Sequence, residues 1–259
     1  KRKQKNECEK KRLNMTTAMD MVRASREPDR LKAMDYIKAI CMDFMELHGD
    51  RLFGEDPAII CGIGKIQNRS VMVIGQQKSV NFGMVKPEGY RKVLRVIKLA
   101  ERFKMPVITF VDTPGASCGI EAEERGQASA IANCIMEFSK LKTPTLSVII
   151  GEGGSGGALA ISVTDEIWML EKSVYSILSP EGFASILWKN ASKKEEAAQL
   201  MGLTSQHLMD DEFIDKIIPE DGSEIYRLKE EIIWFLEKNQ SISMEKLLKK
   251  RYYKYRKII

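Results

Sequence analysis

The chain has 259 residues, 44% hydrophobic and 30% charged, enough to bury the core of one large domain or two small ones. Its formal net charge of +5 comes from its ends: residues 1–12 carry seven Lys/Arg against two Glu, residues 246–257 carry seven and no acid, and of the 41 basic and 36 acidic residues the body keeps 27 and 34. An acidic body with basic ends does not fit a nucleic-acid-binding domain, no apolar stretch reaches the ~20 residues of a membrane span, and Lys1–Lys5 lacks the apolar continuation of a secretory signal.

Residues 1–25 are polar and read as helical. Leu31 to Leu47 has the spacing of one amphipathic helix, with Gly49 as its C-cap. Asp50–Pro57 is loop. Ala58–Ile66 and Val71–Gly75 read as two strands of a hairpin turning at Gln67–Ser70. Pro87-Glu88 opens a helix with Val93, Leu94, Ile97 and Ala100 at helical spacing.

A repeat follows. Glu101-Arg-Phe-Lys-Met-Pro106 leads into the strand Val107–Val111 and the loop Asp112-Thr-Pro-Gly-Ala116. Thirty-eight residues on, Ser139-Lys-Leu-Lys-Thr-Pro144 leads into Thr145–Ile150 and the loop Gly151-Glu-Gly-Gly-Ser-Gly-Gly157. Proline is tolerated as the first residue of a strand because its missing N–H is not needed there. Two helix–strand units in phase imply parallel strands whose exit loops line one site. Ala158–Ile161 then opens a helix, and a helix also begins near Ala122, where Glu121, Glu123 and Glu124 favour its N-terminus. Glu166–Leu170 and Val174–Ile177 read as short strands. Ser179-Pro180-Glu181 is a helix start, as is Thr204, and Asp215–Ile218 is a short strand before a helical C-terminus.

The glycine run is the richest signal. Five of its seven residues are glycine, between a β-branched strand and a helix start. That geometry aims backbone N–H groups at an anion or a developing oxyanion, and a missing Cβ lets the ligand approach. Three narrower matches are available. Asp112-Thr-Pro-Gly115 matches the DxxG of GTPases, but no GxxxxGK[ST] accompanies it. Gly153-Gly-Ser155-Gly-Gly157 matches the nucleophile elbow GxSxG, for which Ser155, Asp165 and His207 stand in an allowed order. His207, however, sits in an ordinary helix start. Cys8, Cys41, Cys61, Cys118 and Cys134 form no CxxC, so neither a disulfide scaffold nor a zinc ribbon is expected. Cys61 and Cys134 lie in apolar patterns and Cys118 in an exposed loop.

Eight blocks in order resemble a known family: Gly49-Asp-Arg51, Asn81-Phe-Gly-Met84, Pro87–Lys92, Ala100–Pro106, Thr109–Ala116, Ala122–Gln127, Val148–Ala160 and Tyr175–Gly182. Together they are similar to the carboxyltransferase α subunit of multi-subunit acetyl-CoA carboxylase, from about Met34 to Pro219. The resemblance implies an α/β fold of the crotonase/ClpP type, a superhelix of ββα repeats with helical extensions at both ends. It divides the chain into an N-terminal helical region (1–48), a carboxyltransferase core (49–222) and a C-terminal helical extension (223–259). It implies transfer of a carboxyl group from carboxybiotin, carried by the biotin carboxyl carrier protein, to acetyl-CoA, giving malonyl-CoA for fatty acid synthesis.

The same resemblance assigns oxyanion stabilisation to the backbone amides of Gly156 and Gly157. Gly153, Gly154, Ser155, Asp112, Thr113, Pro114, Gly115 and Ala116 form the biotin-binding loops. No cofactor or metal is expected on this chain; zinc belongs to a β subunit, with which the α subunit forms a heterotetramer of two copies each. Biotin carboxylase is a further partner, and the compartment is the cytoplasm, or the plastid stroma in a plant or alga. A Ser155 hydrolase and a non-catalytic scaffold of the same fold are the alternatives. The chain departs from the family's usual pattern in having only Ser79 and Val80 between Lys78 and Asn81, in Pro219–Ser223, and in Ala116-Ser-Cys-Gly119.

Overall fold

Residues 17–257 are described by the computed structural model. Eight strands form one mixed sheet: β1 (Met42–Glu46), β2 (Ile59–Ile66), β3 (Arg69–Gln76), β4 (Val107–Thr113), β5 (Thr145–Gly154), β6 (Glu166–Leu170), β7 (Val174–Ser176) and β8 (Lys216–Ile218). The order is β1-β2-β3-β4-β5-β6-β8, with β7 also paired to β5. The first two pairings are antiparallel and the rest parallel. The expected β2–β3 hairpin forms, with a turn at Gln67 and Asn68. The 38-residue repeat becomes the central pair, Val107 opposite Thr145 and Phe110 opposite Val148. Each repeat's proline carbonyl accepts a ladder bond where its own N–H is missing, from Val107 N to Pro144 O and from Met72 N to Pro106 O, both 2.9 Å.

Strand β5 changes partner along its length. Its first half pairs with β6 through Leu146–Ile149, and its last residues, Glu152–Gly154, pair with β7. One strand therefore takes two partners in succession before the chain turns into a helix. The Gly151–Gly154 stretch is thus strand, not the loop its composition suggests. The helix after it spans only Ser155–Leu159, and Ala160 and Ile161 belong to the buried turn that follows.

Helices cover both faces. On one side, α3 (Pro87–Arg102) and α5 (Gln127–Lys140) bury Val93, Val96, Ile97, Ala130, Cys134 and Phe138 against the sheet. On the other, α2 (Ala33–Ile40) and α10 (Glu224–Lys238) bury Tyr36, Ile37, Ile40, Leu228, Ile232 and Phe235. The intervening short helices are α4 (Ile120–Glu124), α6 (Ser155–Leu159), α7 (Pro180–Trp188), α8 (Lys194–Leu200) and α9 (Ser205–Asp210); α1 (Ala18–Ser25) precedes them and α11 (Met244–Arg256) follows. Ser179 and Thr204 cap α7 and α9 as their sequences predict, accepting from Gly182 N and His207 N.

Two helix assignments change. The pattern from Leu31 to Leu47 is not one helix: α2 ends at Ile40, Cys41 is extended, and β1 follows. The reason lies in β2. Cβ atoms built on Gly62 and Gly64 would fall 2.5 Å from the Phe44 ring and 2.9 Å from Cys41 Cβ. The glycines leave a trough into which the edge strand packs, and that tertiary contact overrides a local helical period. The helix expected from Ala122 is likewise broken: α4 stops at Glu124, and Gly126 at φ +81° restarts the chain as α5. Of the polar segment 1–25, Ala18–Ser25 is helical, and the rest up to Thr16 lies outside the described residues, as does Cys8. Cys61 and Cys134 are buried and Cys118 exposed; burial pushes the Cys61 thiol up to about 12.

The basic C-terminus is anchored rather than solvated all round. Arg251 is 1% exposed. It donates to Asp165 Oδ1 and Oδ2 (both 2.8 Å) and to the carbonyls of Phe138 (2.7 Å), Leu141 (2.8 Å) and Thr143 (3.2 Å). It thereby satisfies the C-terminal carbonyls of α5. Removing one partner of a buried ion pair strands the other without solvation, at a cost of about 3–5 kcal/mol. Arg251→Met is therefore expected to lower unfolding stability by that amount, measured by urea titration, whereas Lys250→Met, on the exposed face, stays within about 0.5 kcal/mol.

Candidate active site

The carboxyl ends of β3, β4 and β5 meet at one point of the sheet. Thr113 stands opposite Gly153 in the ladder, so the two exit segments lie side by side as the repeat predicts. The glycines are what permit this approach. A Cβ on Gly151 would stand 2.5 Å from Asp112 Oδ1. One on Gly157 would stand 2.6 Å from both Ala116 N and Gly115 C, and one on Gly154 would collide with the Pro114 carbonyl. Gly156 differs, since a Cβ there meets only Ile131 Cγ2 at 3.6 Å.

Strand turns to helix at Ser155, an exposed residue with φ +55°. Ser155, Gly156 and Gly157 form the first turn of α6, whose N-cap Gly154 offers no side chain. Their N–H groups precede any i→i−4 partner, leaving backbone donors at the end of a strand. Gly157 is buried and Gly156 half-buried, next to the accessible Pro114, Gly115 and Ala116. Asp112 and Thr113 are buried, and their side chains bond inward. Thr113 Oγ1 donates to Gly115 O (2.5 Å) and accepts from Gly115 N (3.1 Å), which shapes the turn.

Behind the glycines lies a polar network that the linear motifs do not reveal. Asp112 Oδ1 accepts from Glu152 N at 3.0 Å and faces Lys78 Nζ at 3.2 Å. Lys78 Nζ also reaches Glu152 Oε2 (2.8 Å), whose other oxygen accepts from Arg26 Nε of the turn after α1 (2.7 Å). Burial pushes the Asp112 carboxyl up, and the Lys78 ammonium opposes the shift. Gln76, the last residue of β3, accepts from Asp112 N (3.1 Å) and donates to Gly157 O (2.8 Å). Glu152 stands inside a motif block and Lys78 three residues before one, but their pairing has no local signature.

The structure does not assemble the hydrolase constellation. Asp165 is occupied by Arg251 and Thr145 on the sheet's other end, and His207 is exposed in the first turn of α9. Ser155 has neither as a hydrogen-bond partner. Among the described residues no His/Cys/Asp/Glu cluster could hold a metal, and no helix is long and apolar enough to cross a membrane.

A sequence profile described as "Acetyl co-enzyme A carboxylase carboxyltransferase-like" matches residues 1–259. The chain belongs to that family. The acetyl-coenzyme A carboxylase carboxyl transferase subunit alpha of Streptococcus gordonii is 51% identical over 255 residues, covering 94% of this chain and all of that protein. The protein of the same name from Clostridium perfringens is 50% identical over 262 residues, covering 95% and 97%. Among solved structures, transcarboxylase 12S, with methylmalonyl-coenzyme A bound, superposes with a TM-score of 0.73 at 19% identity. The β subunit of Pseudomonas aeruginosa geranyl-CoA carboxylase gives 0.69 at 17%. These likenesses establish a shared carboxyltransferase fold, as the sequence resemblance implies. This chain spans 82% and 88% of its own length in them but only 42% and 46% of theirs.

The two neighbouring glycines provide a steric test. Gly157→Ala is expected to force the Gly115–Ala116 backbone away, lowering the melting temperature by about 2–4 °C for each kcal/mol lost. Gly156→Ala, with ordinary van der Waals space, is expected to stay within about 1 °C. Differential scanning fluorimetry of the two variants distinguishes them.

Proposed function

We propose that this chain is the α half of an acetyl-CoA carboxyltransferase: it receives carboxybiotin and passes its carboxyl group to acetyl-CoA. The reading is carried by the uncapped first turn of α6 at the end of the glycine strand, closely backed by the Asp112–Ala116 turn. In the reaction the N–C bond of carboxybiotin breaks and its electron pair is left on the ureido group as oxyanion character. The amides of Gly156 and Gly157 stabilise that charge; losing one such donor costs about 100- to 1,000-fold in rate. The ureido nitrogen or oxygen takes a proton from the acetyl methyl group, and the resulting carbanion forms a C–C bond with the released carboxyl carbon. No protein nucleophile is consumed, which fits a site rich in glycine with no histidine in it.

Half of the site remains to be supplied by a partner. Exposed apolar side chains surround the carboxyl ends of the strands: Phe82 is 67% exposed, Ile120 79% and Ile177 77%. Such groups, on the segments that follow β3, β4 and β7, suit a surface covered by another subunit. That subunit is a β chain bearing the zinc ribbon and the acyl-CoA pocket, in a heterotetramer of two α and two β chains. The biotin carrier and biotin carboxylase complete the cycle in the cytoplasm. The core carrying this chemistry is 49–222, flanked by the terminal regions 1–48 and 223–259.

The test is the reverse half-reaction, malonyl-CoA decarboxylation in the presence of biocytin. Activity is expected only when this chain is mixed with a zinc-ribbon β subunit, and Gly157→Val is expected to abolish it in a complex that still assembles. A stable complex without activity would overturn the reading in favour of a scaffold. Ser155→Ala is expected to retain transfer, and a fluorophosphonate probe to leave Ser155 unlabelled; labelling would point to the hydrolase.

A further inference from the structure

We infer that Gln76 is a positioning residue for the transferase: its carboxamide sets the glycine turn against the β4 turn and so fixes where the oxyanion donors point. The inference rests on the reading of function above but on separate observations. Gln76 is 0% exposed. Its Nε2 donates to Gly157 O at 2.8 Å while its Oε1 accepts from Asp112 N at 3.1 Å. One side chain thus joins three segments: the end of β3, the end of β4 and the first turn of α6.

The chemistry requires a carboxamide. One end must donate to a carbonyl and the other must accept from an amide, and a glutamine of this length does both. An ionised carboxylate could accept from Asp112 N but would face the Gly157 carbonyl with no proton to give. A leucine would leave both backbone groups unpaired in a buried place, at about 1–3 kcal/mol each. The Tyr90 hydroxyl is 3.4 Å from the same carbonyl and provides weaker support.

The turn needs such a strut because α6 has only five residues. A helix that short does not hold itself in water, so its direction is set by outside bonds. The Gly157 carbonyl, held by Gln76, and the Gly157 Cα, pressed on Gly115 and Ala116, are two such constraints on the residue whose amide stabilises the oxyanion. Misplacement of a catalytic group by about 1 Å costs on the order of 100-fold.

Gln76→Glu and Gln76→Leu test this in the assembled αβ complex. Both are expected to lower kcat for biocytin-dependent malonyl-CoA decarboxylation about 10- to 100-fold while KM for malonyl-CoA stays within about twofold. The Gln76→Glu variant is expected to recover activity as pH falls, because the protonated carboxyl can again donate to Gly157 O. The Tyr90 hydroxyl, from α3, shares the Gly157 carbonyl with it, while the carboxyls of Asp112 on β4 and Glu152 on β5 are paired with Lys78. Hydrogen exchange over residues 155–159 supplies a readout independent of turnover. Exchange there is expected to rise at least about tenfold in Gln76→Leu while β2 and α3 keep their protection. If kcat stays within about threefold of wild type, or exchange rises equally everywhere, Gln76 is a packing residue and the inference fails. A wild-type complex with no decarboxylation would instead overturn the functional reading, leaving the exchange result to decide the role of Gln76.

Discussion

Contact between two backbones governs this molecule. The Gly151–Gly157 run lies so close to the Asp112–Ala116 turn that a single methyl group would collide with the Pro114 carbonyl oxygen at position 154 and stand 2.6 Å from the Gly115–Ala116 backbone at position 157. Backbone that approaches this closely cannot be separated by side chains, so the donors of the proposed site are peptide groups. They are fixed by the sheet itself, because β4 and β5 are adjacent parallel strands that pair from Val107 opposite Thr145 to Val111 opposite Ile149 and, after a register shift, again at Thr113 opposite Gly153. Parallel strands that enter side by side also end on the same side of the sheet, which places the proposed site at their carboxyl ends.

The proposed backbone site needs stiff support, and the polar network beside it provides that. Asp112, Glu152, Lys78 and Arg26 are paired in alternation, and Gln76 ties their neighbourhood to α6. Buried ion pairs add little net stability, since desolvation offsets their attraction. Their effect here is geometric: each group has one arrangement in which it is satisfied, and that arrangement places the glycine turn. Arg26 extends the constraint to the turn after α1, so a helix distant in sequence braces the strand that carries the site.

The same logic holds at the opposite end of the sheet. Arg251 closes the carbonyls that terminate α5 and pairs with Asp165 at the start of β6. A basic C-terminal helix is thereby locked to the amino ends of the strands, away from the proposed site. A segment with seven basic residues and no acid over 246–257 is, at one residue in its middle, a structural bolt.

The strong local signals in this chain were sufficient for much of the architecture. Proline before β4 and β5, the 38-residue phase between them, the caps at Ser179 and Thr204 and the glycine run are all legible because each rests on a short-range rule of backbone chemistry. The family blocks were legible for the same reason, as unbroken stretches of chain. Tertiary structure alone decided that Met42–Glu46 is a strand, because the trough at Gly62 and Gly64 lies in another segment. It alone extended β5 through Gly154, because β7 supplies the partner for those residues. It alone assembled Gln76, Lys78, Glu152 and Arg26, which share no spacing or pattern. A residue's bonds across the sheet depend on which strands become neighbours, and that is determined by the packing of the whole core rather than by any local run of sequence.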